Sequence, residues 1–149
     1  MEAVIFIGIQ GAGKSSFFKQ SFFDTHIRIN LDMLRTKNRE KLIFEVCLEA
    51  KQKFVIDKTN LTREEREKSI VRAKSFGFKI VGYYFQTNLE KAIERNNQRE
   101  GKAKIPEKGL LGSFKRLQLP QFDEGFDELF YVSINDESGF VVEDWKDEI

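Results

Sequence analysis

A single cysteine, two prolines and one histidine are all this chain holds of the residues that staple, bend or ligate. With Cys47 alone, no intramolecular disulfide framework can form, which fits a reducing compartment. Cys47 sits in LIFEVCLEA at helical spacing from other apolar residues, where a free thiol packs as a small hydrophobe. His26 has no second His or Cys nearby in sequence, which argues against a His-based metal site. No apolar run approaches the roughly 20 residues that cross a bilayer, so no membrane partner is expected. The opening MEAVIFIGIQGAGK has too short an apolar stretch for a signal peptide, an acidic second residue and no small-residue cleavage site. The chain is therefore expected to be complete, intracellular and cytoplasmic. Repeats, low-complexity blocks and Pro/Ser-rich linkers are also missing, and 149 residues suit one domain, residues 1–149.

Phenylalanine, by contrast, is abundant: fifteen against three Tyr and one Trp, which predicts a core stocked with apolar rings. Net charge is only +1, but it is unevenly spread. Between Arg95 and Arg116 stand seven bases against two acids, a segment suited to an anionic ligand. Residues 135–149 hold six acids and one base and read as a solvated polar tail. Within it Phe140, Val141, Val142 and Trp145 could dock on the body or bind a partner.

Apolar patterning alternates short strand-like runs with helical ones. Residues 3–7 form a continuous apolar run, the mark of a strand buried on both faces. Further strands are predicted at 26–30, 54–57, 78–85 and 129–134, with helices at 14–23, 40–53, 62–76, 88–99 and 107–118. Thr62 with Glu65 three residues on is a capping-box pattern, and Gly77 a natural stop. Phe17, Phe18, Phe22 and Phe23 flank the first helix and are expected to pack it on the sheet rather than stack bases. This alternation predicts a three-layer α/β fold, a central parallel five-stranded sheet covered on both faces.

Between the first strand and first helix, Gly8-Ile9-Gln10-Gly11-Ala12-Gly13-Lys14-Ser15 satisfies G-x-x-x-x-G-K-[ST] at every fixed position. Glycines let the backbone N–H groups of Gly8, Gly11, Ala12, Gly13 and the following Ser16 turn around phosphates, and the helix N-terminus adds positive potential. Lys14 is expected to reach the β- and γ-phosphates of ATP and the Ser15 hydroxyl to ligate Mg²⁺. A GTPase would need N-K-x-D, which the sequence lacks. An AAA+ or helicase motor needs more chain and a strand closing on paired acids, whereas the third strand closes on Asp57-Lys58-Thr59-Asn60. Size and the late basic segment favour a small kinase with an arginine-bearing helical lid over residues 95–116.

After the second strand comes Asn30-Leu31-Asp32-Met33-Leu34-Arg35. At the carboxyl end of a parallel strand, Asp32 could accept the proton of an attacking hydroxyl and Arg35 could hold a phosphate of the acceptor. Position alone equally allows a helix-capping Asp and a surface Arg.

Taken together, GIQGAGKS, NLDMLR, IDKTN and ERNNQRE resemble the kinase domain of the polynucleotide 5′-hydroxyl kinase family, phage-type and animal-type. The segment KIPEKGLLGSFKRLQLPQFDEGFDELFYVSI is similar to the C-terminal part of the animal members, and the resemblance covers about residues 3–134. It implies phosphoryl transfer from ATP to the 5′-hydroxyl of DNA or RNA ends, in nucleic-acid repair. Asp32 would be the general base and Arg35 the contact to the acceptor strand. Asp57 would order the Mg²⁺ shell with Ser15, and Thr59 and Asn60 would shape the neighbouring loop. Arg95 and Arg99, one helical turn apart, would be lid arginines, Arg99 stabilising the transferring phosphoryl group. No D-x-D-x-[TV] motif occurs, so the phosphatase half of many members is missing from this chain. Two alternatives stay open: a small-molecule kinase of the P-loop class, and a module that binds nucleotide or RNA without turnover.

Overall fold

The computed structural model describes residues 1–86, 89–98, 106–135 and 139–146, leaving out the side chains of Ala92 and Arg95. Its elements run β1 (Glu2–Ile7), α1 (Lys14–Ser21), β2 (Ile27–Ile29), α2 (Leu31–Leu34), α3 (Lys37–Ala50), β3 (Phe54–Ile56) and α4 (Arg63–Ser75). They continue with β4 (Lys79–Phe85), α5 (Leu89–Asn97), α6 (Glu107–Arg116), a 3₁₀ turn (Phe122–Glu124), β5 (Glu128–Asn135) and β6 (Gly139–Asp144).

Six strands form one sheet in the order β2-β3-β1-β4-β5-β6. All neighbours pair in parallel except β5 and β6, which are antiparallel. The α/β fold with a parallel-dominated sheet is as the apolar patterning predicts. Residues 3–7 of β1 are all buried, and their side chains divide by the period of two. Ala3, Ile5 and Ile7 join Leu48, Phe54, Ile70 and Ile80 on the face covered by α3 and α4. Val4 and Phe6 join Phe17, Phe18, Phe22, Val81 and Phe85 on the face covered by α1. Phe23, expected to pack with its neighbours, is instead 70% exposed.

The sheet has one strand more than expected, because part of the acidic tail is structural. Residues Gly139–Asp144 pair with β5 from Phe130↔Asp144 to Asn135↔Gly139. Phe140 packs on Phe17 with ring centroids 5.1 Å apart, and Trp145 is buried against Tyr84 at 5.4 Å. An edge strand bonded on one side only needs little apolar surface, so its charges hide it from a hydropathy pattern.

Helix ends follow local chemistry. Thr36 caps α3 by accepting from Arg39 N at 3.1 Å, so this helix starts earlier than expected. Thr62 accepts from Glu65 N at 3.2 Å, while Glu65 accepts from Leu61 N at 3.0 Å, one residue before the reciprocal partner of a strict capping box. Asn88, the expected cap of α5, lies outside the described residues. Among the described residues, no helix is long and apolar enough to cross a membrane.

Candidate functional site

Three loops meet at the carboxyl ends of β1, β3 and β2, which are adjacent in the sheet. The glycine-rich loop follows β1. Its N–H at Gly8 donates to Thr59 O at 3.0 Å, joining it to the loop after β3. Gly11 and Gly13 have φ of 80° and 96°, a left-handed backbone that suits glycine. A Cβ on Gly13 would stand 3.1 Å from both Ile134 Cδ1 and Phe140 Cε1, so β5 and β6 buttress the loop from behind. Gly13 O accepts from Phe17 N at 3.0 Å and opens α1. The first turn of α1 holds no acidic residue, and Gly13 offers no side-chain cap, which leaves positive potential where an anion is expected. Ala12, within the loop, is buried with Phe17 and Phe18, and Ser16 is exposed on α1. Lys14 Nζ donates to Gly8 O at 2.9 Å and Ile9 O at 2.8 Å, which holds the ammonium over the loop.

Asp57, at the end of β3, is 2% exposed. Its Oδ2 accepts from Ser15 Oγ at 3.2 Å and from Arg28 Nε at 2.8 Å, and Arg28 Nη2 donates to Ser15 Oγ at 2.8 Å. Ser15 and Asp57, both expected to serve a metal, are thus brought into contact. Arg28 was not among the expected residues. The period of two carries its only sequence signal: Ile29 joins the α3/α4 face, so Arg28 faces α1, where its guanidinium lies 6.0 Å from the Phe18 ring centroid. A carboxylate beside a hydroxyl in the first turn of a helix supplies the oxygen donors that a hard cation such as Mg²⁺ takes, so the residues present fit that group.

Asn30 ties the turn after β2 to this centre. Its Nδ2 donates to Asp57 O at 2.8 Å, and its Oδ1 accepts from Met33 N at 2.9 Å to cap α2. Asp32 in the first turn of α2 and Arg35 at its end are both exposed. Among the described residues neither side chain has a polar partner. Arg35 has φ of 77° and Asn60 of 46°, left-handed backbone at two expected site residues. Asn60 is buried, its Nδ2 donating to Phe6 O at 2.7 Å, so it shapes the loop from inside. Around the expected lid, α5 and α6 are described, but Arg99 and the side chain of Arg95 lie outside the described residues.

Beside these loops a cleft of about 450 Å³ runs between α3 and α4 to Ile29, Ile56 and Asn60. Phe44 lines it, together with Lys58, Lys68 and Arg72.

The fold is shared widely. Kti12 from Chaetomium thermophilum, solved with ADP-AlF3, superposes with a TM-score of 0.69 at 13% identity, covering 91% of each chain. A protein of the PezAT toxin–antitoxin system of Streptococcus pneumoniae gives 0.65 at 14% identity, over 94% of this chain and 70% of that one. A sugar kinase from Janibacter gives 0.62 at 16% identity, over 89% and 85%. These likenesses establish a P-loop kinase-like fold. In sequence, the chain is 30% identical over 129 residues to the bifunctional polynucleotide phosphatase/kinase of Schizosaccharomyces pombe. That match takes in 84% of this chain but only 32% of the relative, so the chain spans about a third of that protein's length. The family profile that matches, AAA_33, carries the description AAA domain. The match runs over residues 32–120, beginning at Asp32 after the glycine-rich loop. Because it covers more than half of the chain, the protein belongs to the AAA domain family, on a P-loop kinase-like fold.

Proposed function

We infer that the protein is an ATP-dependent phosphotransferase that phosphorylates the 5′-hydroxyl of DNA or RNA ends. The observation that carries this is the junction of the glycine-rich loop, the Ser15–Asp57 pair and the Asn30-anchored turn bearing Asp32 and Arg35. The acceptor class is supported by the similarity to the bifunctional polynucleotide phosphatase/kinase.

In this reading Lys14 and the N-terminal turn of α1 hold the β- and γ-phosphates, with Gly8, Gly11, Ala12, Gly13 and Ser16 around them. Ser15 and Asp57 would be the residues that hold Mg²⁺, whose charge would offset that of the phosphates. The acceptor oxygen attacks the γ-phosphorus in line. A new P–O bond forms as the bond to the β,γ-bridging oxygen breaks, and ADP leaves. Asp32 takes the hydroxyl proton, and its exposure on a short capped helix leaves it open to an incoming strand end. Arg35 holds an acceptor phosphate, Thr59 and Asn60 keep the loop's shape, and Arg95 and Arg99 close over the transferring group as lid cations.

A small-molecule acceptor is the second reading, favoured by the cleft beside Lys58, whose roughly 450 Å³ would seat a compact polar ligand. One acceptor panel separates the two. With Mg²⁺ and γ-labelled ATP, label should pass to 5′-hydroxyl oligonucleotides and not to 5′-phosphorylated ones, sugars or nucleosides. Label on a sugar or free nucleoside alone would move the reading to the small-molecule class.

A further inference from the structure

The Arg28 guanidinium touches both groups that the proposed function assigns to Mg²⁺. Asp57 is buried at the end of β3, and a carboxylate withdrawn from water needs a compensating charge. Arg28 supplies it from β2, the strand beside β3, through Nε at 2.8 Å from Oδ2. Its Nη2 also occupies an acceptor site of Ser15 Oγ at 2.8 Å. The Arg28 side chain itself is 26% exposed, so it has an outlet to solvent that Asp57, at 2%, lacks. A divalent cation at Ser15 and a guanidinium within hydrogen-bond distance of the same hydroxyl would repel one another, and both would draw on the charge of one carboxylate.

We propose that Arg28 is an internal counter-ion of the phosphate site, held on Asp57 and Ser15 while metal is absent and exchanged for Mg²⁺ when nucleotide binds. The inference rests on the ATP–Mg²⁺ reading of the site and adds to it a built-in threshold for metal. Nothing in the resemblance or the motifs assigns Arg28. The exchange follows from linkage: whatever free energy the Arg28 contacts supply without metal must be given up when Mg²⁺ enters. Removing the guanidinium leaves Asp57 without its partner and raises its demand for a cation.

The test is a Mg²⁺ titration of the full chain at fixed concentration of a fluorescent ADP analogue. In Arg28→Gln the Mg²⁺ midpoint should fall about tenfold, the weight of a hydrogen-bonded charge pair. Arg28→Lys, charged but without the fork that spans both oxygens, should fall between the two. In the wild type, the Arg28 Nε–H resonance should shift when Mg²⁺ is added to the ADP-bound protein, and not on adding ADP alone. Arg28→Lys, which keeps the charge, serves to assign that resonance, and the wild-type measurement decides the matter even where Arg28→Gln does not fold. An unchanged or higher midpoint, or a resonance indifferent to Mg²⁺, overturns the inference while nucleotide binding by the wild type stands. A wild type that binds no nucleotide with or without Mg²⁺ overturns the reading of the site, and this inference with it.

Discussion

Tyr83 stands on β4 among rings, with centroids 5.2 Å from Phe130, 5.5 Å from Phe17, 5.6 Å from Phe22 and 6.0 Å from Phe6. Burial there pushes its phenol up to about 12 from an ordinary 10.0, with Glu2 and Glu128 adding to the shift. Above the ordinary value the unfolded chain loses this proton while the folded chain keeps it. Stability from Tyr83 is therefore complete below pH 10.0 and is lost as pH rises towards about 12. Urea midpoints should fall across that window in the wild type and fall less in Tyr83→Phe; superimposable profiles would contradict the assignment. At the same scale, Lys14 and Ser15 were singled out in the sequence by the glycine-rich motif, and Asp57 by the family resemblance. Arg28 was not, since one cation in a three-residue strand gains its role only when β2 and β3 bring it to Asp57. Cys47 was, and its buried thiol is pushed up from 9.0, as an inert packing group requires.

Among the elements, α4 is fastened by a charge its sequence gives no hint of. Arg66 and Glu124 have side chains 0% and 2% exposed. The fork donates from Nε to Oε1 at 2.8 Å and from Nη2 to Oε2 at 3.0 Å, while Nη1 reaches Asn60 O at 2.8 Å and Leu61 O at 3.2 Å. Glu124 also accepts from Gln121 N at 2.8 Å, closing the 3₁₀ turn onto the helix. The pair thus pins the loop after Asp57 to the 3₁₀ turn that follows α6. Arg66→Met alone strands a buried carboxylate and should cost about 3–5 kcal/mol. Arg66→Met combined with Glu124→Leu should recover most of that, as read by urea unfolding. A loss under about 1 kcal/mol in the single variant would show the pair to be dispensable. In REEREKSIVRAKS, Arg66 looks like any solvent-facing helix residue, and only the turn folding back at 122–124 makes it internal.

For the whole molecule, the parallel sheet was legible because β1, β3 and β4 are runs of apolar residues bounded by turns, a pattern that fits a strand covered on both sides. The sixth strand was hidden by the acids around it, yet its Phe140 backs Gly13 of the phosphate loop. Asp32 and Arg35 were singled out by position, whereas Asn30, the residue that ties their turn to Asp57, emerged from contacts alone. The proposed reaction needs both halves at once, a donor site built on β1 and β3 and an acceptor turn built after β2. These halves are separable by one side chain, because Asp32 makes no hydrogen bond or ion pair with the donor site among the described residues. The most direct measurement is therefore phosphoryl transfer to a 5′-hydroxyl oligonucleotide by Asp32→Ala, alongside its affinity for ADP with Mg²⁺. The account predicts transfer lowered roughly 10²–10⁴-fold with nucleotide affinity within about threefold of wild type. Undiminished transfer, or a parallel loss of nucleotide binding, would contradict it.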